Sequence, residues 1–393
     1  MNRIYYIFLL LFCFAFQMSS GQSQGDSILK KHKIAVFSPI YLDSAFSGKY
    51  YRYGKNFPRF TLQGIGFVQG AMIALNNFPI ENCQIETFFY DSKSDSLSIQ
   101  KLIESNALDD IEMIITSVKD RELNLLSKFS IRKKIPLISA TFPNDGGITQ
   151  NPFFVILNST LKTHCEAIFS YLLQTHANEN IIHIRKTGSQ EDRISNYFQN
   201  INKPDNKALL NIQSITLDSN YSKIIKSLDS TRLNIIIAGS LDENFAIEIC
   251  KTLKTCIPKY NIQLIGMPNW EGFGAFSQKN KSKLSEFPIY YTSPYYNNKT
   301  DLFSSSIQTA YLKSYKGSPT ESVYKGFESM YVFSRFLNEG QRLSEINLEK
   351  ISVFSNFNIA PIKLNRQSEQ VDYFENKHLF FLKKQNGVIS KGW

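Results

Sequence analysis

The groups that most often do covalent chemistry are scattered in this chain. The five histidines, His32, His164, His176, His183 and His378, are dispersed, and His183 falls in an apolar stretch that reads as core. No GxSxG, HExxH or GxxxxGK[ST] pattern occurs, so hydrolase, zinc-peptidase and P-loop chemistry lack their usual frameworks. Gly64–Ile65–Gly66 precedes a helical pattern without following a strand, and reads as a loosened helix start rather than a dinucleotide fingerprint. Asp91 and Asp95 form a carboxylate pair in a Ser/Lys turn, read here as a solvated loop rather than an acid–base couple. Cys83, Cys165, Cys250 and Cys256 include no CxxC, and no histidine stands near any pair at zinc spacing. Cys250 and Cys256 lie near a helix end. Six helical residues rise about 9 Å, beyond disulfide reach, so free buried thiols are expected. Hydroxyls and amides at segment ends remain, which suits binding better than turnover; an enzyme is the disfavoured class, and no metal or cofactor is expected.

The elements that would position such groups alternate regularly. Lys33–Pro39 reads as a strand and residues 40–60 as a long loop. Gly64–Phe78 reads as a helix, with Phe67, Ala71, Ala74, Leu75 and Phe78 at helical spacing. Strands at Ile85–Tyr90, Glu112–Thr116 and Pro136–Ala140 then alternate with helices at Leu97–Leu108 and Glu122–Arg132. This β-α order predicts a parallel sheet with helices on its faces. A second alternation follows, with strands at Phe154–Leu157, Ile181–Ile184, Ile212–Leu217, Asn234–Ala238 and Gln263–Gly266. Its helices are Leu161–Gln174, Asp192–Gln199, Ser222–Leu228 and Glu243–Leu253, with Ser159 or Thr160 as cap of the first. After a strand at Pro288–Thr292 come helices at Ser304–Tyr315 and Glu321–Gly340. The tail is β-like at Ile351–Phe354, Ile362–Asn365 and Leu379–Lys383.

Composition bounds the class. The 393 residues suffice for two or three domains, 42% are hydrophobic, and 20% are charged, which excludes a disordered or fibrous chain. Lys+Arg 44 against Asp+Glu 34 gives +10, but the cations are dispersed, and no nucleic-acid surface is expected. Met1–Arg3, the apolar run Ile4–Phe16 and the small residues Ser19–Ser20–Gly21 follow the order of a secretory signal peptide. Thirteen helical residues span about 20 Å, short of the roughly 30 Å hydrocarbon core. A cleaved leader over 1–21 and a periplasmic chain that does not span the membrane are therefore expected, with an uncleaved anchor as the alternative. Cys13 lies inside the apolar run, which disfavours lipidation.

Several stretches together resemble the type I periplasmic-binding-protein family, which includes branched-chain amino acid-binding proteins and receptor ligand-binding domains. Phe67–Asn76 (FVQGAMIALN) is similar to its first helix. Phe89–Asp95 (FYDSKSD) resembles its second strand and acidic turn. Lys134–Thr141 (KIPLISAT) and Ile265–Trp270 (IGMPNW) resemble two strand ends, and Tyr311–Ser329 the late helix pair. The chain departs where it runs Thr116–Ser117–Val118–Lys119 instead of Gly-Pro-Ser, carries Glu328 for the usual aspartate, and has Lys186–Gln190 for the usual Tyr-Gly. The 40–60 insertion and Tyr373–Asn376 resemble a Bacteroidetes branch. The resemblance covers residues 33 to about 385. It implies an α/β fold of two lobes, each a mostly parallel sheet flanked by helices. Lobe one would comprise 22–157 with 293–340, and lobe two 158–292 with 341–393.

In open parallel sheets, ligands sit outside the carboxyl ends of the strands. That places candidate ligand-binding residues at Ser117, Val118, Ser139, Ala140 and Thr141 in lobe one. In lobe two it nominates Gln190, Glu191, Ser240, Leu241, Asn269 and Trp270. The resemblance implies that small and hydroxyl residues of lobe one hold a carboxylate, and Trp270 is read either as an apolar wall or as core. The expected function is capture of a small polar ligand, such as an amino acid or peptide-like compound, for an ABC permease or a membrane sensor. The alternative is a cell-envelope interaction protein that keeps the fold with a degenerate pocket, a reading favoured by the aromatic run Tyr50–Tyr53.

Overall fold

The computed structural model describes residues 30–204, 207–217, 221–277, 283–365 and 369–392. The expected leader lies outside them. Two seven-stranded sheets dominate. The first is built from β1 (Lys30–Ser38), β4 (Cys83–Asp91), β5 (Met113–Thr116), β6 (Leu137–Ser139), β7 (Phe154–Ile156), β13 (Ile359–Ile362) and β14 (Tyr373–Asn376). Their order is β13-β14-β7-β6-β5-β1-β4. The second holds β8 (Asn180–Lys186), β9 (Ile212–Leu217), β10 (Asn234–Ala238), β11 (Ile262–Ile265), β12 (Ile289–Ser293), β15 (Phe380–Gln385) and β16 (Val388–Lys391). Its order is β16-β15-β12-β11-β10-β8-β9. Within each sheet five parallel strands run in the same relative order, 2-1-3-4-5, the flavodoxin-like doubly wound arrangement. The short strands β2 (Phe46–Ser47) and β3 (Tyr50–Tyr51) form a separate hairpin after the one-turn helix α1 (Leu42–Ala45).

Parallel strands covered on both faces need apolar residues at every position, and MIIT of β5 and NIIIA of β10 are buried throughout. Along β1, Ile34 and Val36 enter one core, while Ala35 and Phe37 enter the core on the opposite face. The first of these cores is closed by α2 (Arg59–Asn77) and α10 (Glu321–Asn338). The second is closed by α3 (Ile99–Glu104) and α4 (Asp120–Lys133). In α4, Asp120 and Glu122 in the first turn and Arg132 and Lys133 in the last complement the helix dipole. Helix α5 (Leu161–Thr175), α6 (Ser189–Asn202), α7 (Ser222–Ser227) and α8 (Glu243–Cys256) flank the second sheet. Helix α9 (Leu302–Tyr315) precedes α10.

Four expectations change. Helix α2 begins at Arg59, so Gly64 and Gly66 lie inside it rather than loosening its start. Their use is contact: a Cβ on Gly64 would lie 2.1 Å from the Pro39 carbonyl oxygen, and α2 crosses α10 where a Cβ on Gly326 would lie 2.0 Å from that of Phe67. The stretch Ile351–Phe354 is a turn, not a strand. The tail expected wholly in lobe two is divided, since β13 and β14 join the first sheet and only β15 and β16 join the second. Asp91 is buried rather than solvated. Its carboxylate accepts backbone N–H bonds from Ile40 (3.0 Å), Tyr41 (3.1 Å), Leu42 (2.7 Å) and Lys93 (3.0 Å). Cys165, Cys250 and Cys256 are buried free thiols, as expected, and α8 runs unbroken through the last two.

The chain passes between lobes three times, near 157–160, 293–301 and 376–379. These crossovers are tied together. The Ser159 hydroxyl donates to the Asn376 carbonyl (2.7 Å), Asn376 Nδ2 to the Leu157 carbonyl (3.3 Å), and Lys377 Nζ to Thr163 Oγ1 (2.6 Å). Among the described residues, no helix is long and apolar enough to cross a membrane.

Candidate functional site

The strand tips of lobe one are largely occupied by the protein's own groups. Ser117 Oγ lies 3.0 Å from Ser38 Oγ, and the Ser38 hydroxyl also reaches the Gly64 carbonyl at 3.0 Å. Val118 is buried in the core with Phe37. Ser139 and Ala140 are fully buried; Ser139 Oγ has no hydrogen-bond partner among the described residues, and the Ala140 carbonyl accepts from the Tyr295 hydroxyl. The Thr141 carbonyl accepts from Asn158 Nδ2 at 2.6 Å.

Lobe two is similar. Gln190 is exposed at the start of α6, and the following Glu191 is buried and accepts from the Ser240 hydroxyl at 2.6 Å. The Ser240 carbonyl accepts from the Trp270 indole at 2.9 Å. Trp270 is 1% exposed and stacks on Phe276 inside the second core. It is core rather than a pocket wall, because Gly266 leaves room for its ring: a Cβ there would lie 2.4 Å from it.

A cavity of about 250 Å³ instead opens where the crossovers meet both lobes. Lobe one contributes Pro143 and Lys325 of α10. The crossovers contribute Asn158, Ser159 and Ser293–Tyr295, and lobe two contributes Leu161 and His164 of α5, Leu241, Pro268, Asn269, Glu271 and Thr292 of β12. Of the eleven nominated residues, Leu241 and Asn269 line it, joined by a 2.7 Å bond from Asn269 Nδ2 to the Leu241 carbonyl. Ala140 and Thr141 hydrogen-bond to lining residues. Ser117, Val118, Ser139, Gln190, Glu191, Ser240 and Trp270 do not line it.

Lys325, Glu271 and His164 carry the electrostatics of the cavity. Lys325 Nζ lies 4.3 Å from the centroid of the Tyr295 ring. Burial lowers its pKa, opposed by the charges of Glu271 and Glu321. Burial raises the pKa of Glu271, opposed first by the charge of Lys325 and last by a hydrogen bond with Ser293. The two face the same cavity from opposite lobes without direct ion-pair contact. His164 Nδ1 is 2.7 Å from Thr292 Oγ1, and burial brings its pKa down to about 3, so the imidazole is neutral at pH 7. The wall therefore offers one cation, one carboxylate and several neutral hydroxyls and amides.

Sequence reasoning missed Lys325, Glu271, His164 and Tyr295 as a group. They belong to two helices, a 3-10 turn and one crossover, far apart in sequence and without a shared motif. The nearest signal was Ser159, read together with Thr160 as a candidate helix cap. The N-cap of α5 is Thr160, while the Ser159 hydroxyl holds Asn376 across the crossovers.

No known family profile matches the sequence, and no curated protein sequence matches it. Solved structures do. A Rhodospirillum rubrum candidate branched-chain amino acid ABC transporter protein superposes with TM-score 0.63 at 10% identity, over 92% of this chain and 99% of that one. The chain has the type I periplasmic-binding-protein fold. An ABC transporter substrate-binding protein from Desulfitobacterium hafniense shares this fold with TM-score 0.56 and 11% identity, over 92% of this chain and 99% of that one. So does the C-domain of LpoA from Haemophilus influenzae, a regulator of PBP1A, with TM-score 0.56 and 12% identity, over 91% and 98%. The cavity lies where the crossovers of this fold meet both lobes.

Proposed function

We propose that the protein is an exported, periplasmic solute-binding protein that captures a small polar ligand in the crossover cavity. The ligand carries both a carboxylate and an ammonium group, as an amino acid or small peptide-like compound does. One observation carries this reading. Lys325 and Glu271 stand on opposite lobes, both half-buried, and they form no ion pair with each other. Closing a cavity over a charge costs several kcal/mol unless a partner offsets it. A zwitterion with its carboxylate toward Lys325 and its ammonium toward Glu271 compensates both and links the lobes, so it favours the closed arrangement by its differential affinity. At about 250 Å³ the cavity is small, below the roughly 300–1,000 Å³ of drug-sized sites. Leu241 and Asn269 form part of its wall, and Ala140 and Thr141 hydrogen-bond to residues that line it. No turnover is proposed. The downstream partner is an ABC permease or a membrane sensor, a role consistent with the substrate-binding protein from Desulfitobacterium.

Thermal unfolding in the presence of single amino acids, dipeptides and their singly charged analogues tests this. Binding at 100 times Kd stabilises by about 2.7 kcal/mol. The expected result is a shift with zwitterions that is lost with the analogues and in Lys325→Met. A second reading, an envelope interaction protein with a vestigial pocket, is favoured by the likeness to the LpoA domain and by the closed strand tips. A screen without any shift supports that reading and sinks the first.

A further inference from the structure

Exposed aromatic rings are concentrated in one place. Phe46, Tyr50, Tyr53, Phe57 and Phe60 are the exposed Phe, Tyr and Trp side chains among the described residues, and all lie between positions 46 and 60. Tyr50 is 72% and Phe57 64% exposed. The rings form one patch on the β2–β3 hairpin and the turn after it. Tyr51 touches Phe46 (5.3 Å between centroids), Tyr53 (6.0 Å) and Phe57 (6.3 Å), and Phe60 touches Tyr53 (6.0 Å) and Tyr41 (5.3 Å). The patch stands on a fixed base, because Asp91 clamps the backbone N–H groups of residues 40–42.

Its charge is one-sided. Lys49, Arg52, Lys55 and Arg59 are interleaved with the rings, all exposed, and none forms an ion pair among the described residues. No Asp or Glu occurs between Asp43 and Glu81. Asp43, on the flank, is turned toward the Ser94 hydroxyl and the Asp95 N–H. A soluble surface gains nothing from collecting its bare rings among unneutralised cations. An anionic lipid headgroup layer complements both features: phosphates meet the cations, and the acyl boundary lies within one ring length beneath them. Aromatic and basic side chains settle together at that depth. An acidic protein face offers the charge without the depth, and would leave Tyr50 and Phe57 against polar surface.

We propose that the 46–60 segment docks the protein on an anionic phospholipid surface, its rings entering the headgroup layer and its four cations contacting phosphates. The test uses the full chain carrying Tyr50→Trp, with the parent protein as blank. Vesicles contain phosphatidylglycerol in phosphatidylcholine, or phosphatidylcholine alone, each with and without bromine-labelled acyl chains. Fluorescence of the indole introduced at position 50 is expected to be quenched by the brominated anionic vesicles and not by the neutral ones. That readout is local, so membrane contact elsewhere on the chain does not mimic it. Replacing Arg52 and Lys55 by Gln should weaken binding on the order of thirty-fold, about fivefold per cation. Replacing the exposed Lys203 and Lys226 of lobe two by Gln should leave binding within about twofold. An unquenched indole, or equal weakening by the lobe-two pair, overturns the proposal. Binding to neither vesicle also overturns it, and leaves an acidic protein face as the fitting partner.

Discussion

The strand tips and the crossover cavity obey the same electrostatics with opposite outcomes. At the tips of β8 and β10, Glu191 is closed by the Ser240 hydroxyl and Lys186 by Asp242 at 2.7 Å. At the tips of β1 and β5, Ser38 and Ser117 close on each other. In the cavity, Lys325 and Glu271 are desolvated, and neither is matched by an ion pair among the described residues. Polar groups satisfied within the chain tie neighbouring segments of one lobe to each other. A half-buried charge in a cavity that the chain leaves without an ion-pair partner is the mark of a place prepared for something else.

The largest expected effect comes from removing the cation. Lys325→Met should cost about 2–5 kcal/mol of affinity for a zwitterionic ligand, the usual range for truncating a buried charge partner. The ligand-free protein should become no less stable, because a half-buried charge without an ion-pair partner is replaced by an apolar chain of similar length. Calorimetric titration and urea unfolding of the same variant read the two effects separately. A variant that loses stability and keeps affinity would make Lys325 a structural residue and erase the contrast.

Protons probe both regions at once. His164 lines the cavity, and His183 lies on β8 with its Nε2 unpartnered against Gly239. Burial lowers their pKa to about 3 and about 4, the latter with help from Arg185. Because these folded-state values lie below the ordinary 6.5, the unfolded chain takes up the protons first. The stability from each neutral imidazole is complete above pH 6.5 and is lost as pH falls toward the folded value. At pH 5 the loss is about 2 kcal/mol per histidine. Urea unfolding at pH 7 and pH 5 should show it, and His164→Gln and His183→Gln should each remove about half. If only one does, the regions differ in solvation more than their geometry suggests.

The β-α alternation was legible because buried parallel strands need unbroken apolar runs, and Met113–Thr116 and Asn234–Ala238 announce themselves that way. Tyr373–Asn376 does not. It is fully buried yet ends in Glu375 and Asn376, which are polar because they satisfy the crossovers: Glu375 takes the Thr160 N–H at 2.6 Å. Ile351–Phe354 misleads in the opposite direction. Its apolar text belongs to a turn whose closing N–H groups, those of Phe354 and Ser355, donate to buried Glu328 at 2.7 Å each. Lys325 was illegible for a further reason. A lysine on an amphipathic helix looks solvated, and only the packing of α10 against the crossovers brings it into a cavity.

A strand-tip substitution should show the reverse of the Lys325 pattern. Ser240→Ala removes the donor to Glu191 and the acceptor of the Asp242 N–H (3.2 Å), stranding buried polar groups. It should cost about 1–3 kcal/mol of stability, with affinity within about twofold. A large loss of affinity without loss of stability would return the site to the tips.

The smallest effect falls on Asn269, a nominated strand-end residue that also lines the cavity. Its amide donates to the Leu241 carbonyl from an exposed position, where water replaces the lost partner. Asn269→Ala should therefore lower stability by less than about 0.5 kcal/mol. A ligand that touches the amide loses one neutral hydrogen bond, about 0.5–1.5 kcal/mol of affinity. Combined with Lys325→Met, the affinity losses should add if the amide and the ammonium hold separate parts of the ligand, and fall short of additivity if both hold its carboxylate. The double-mutant cycle thus assigns Asn269 to one end of the ligand or the other, and an affinity unchanged by Asn269→Ala would detach the strand tips from recognition altogether.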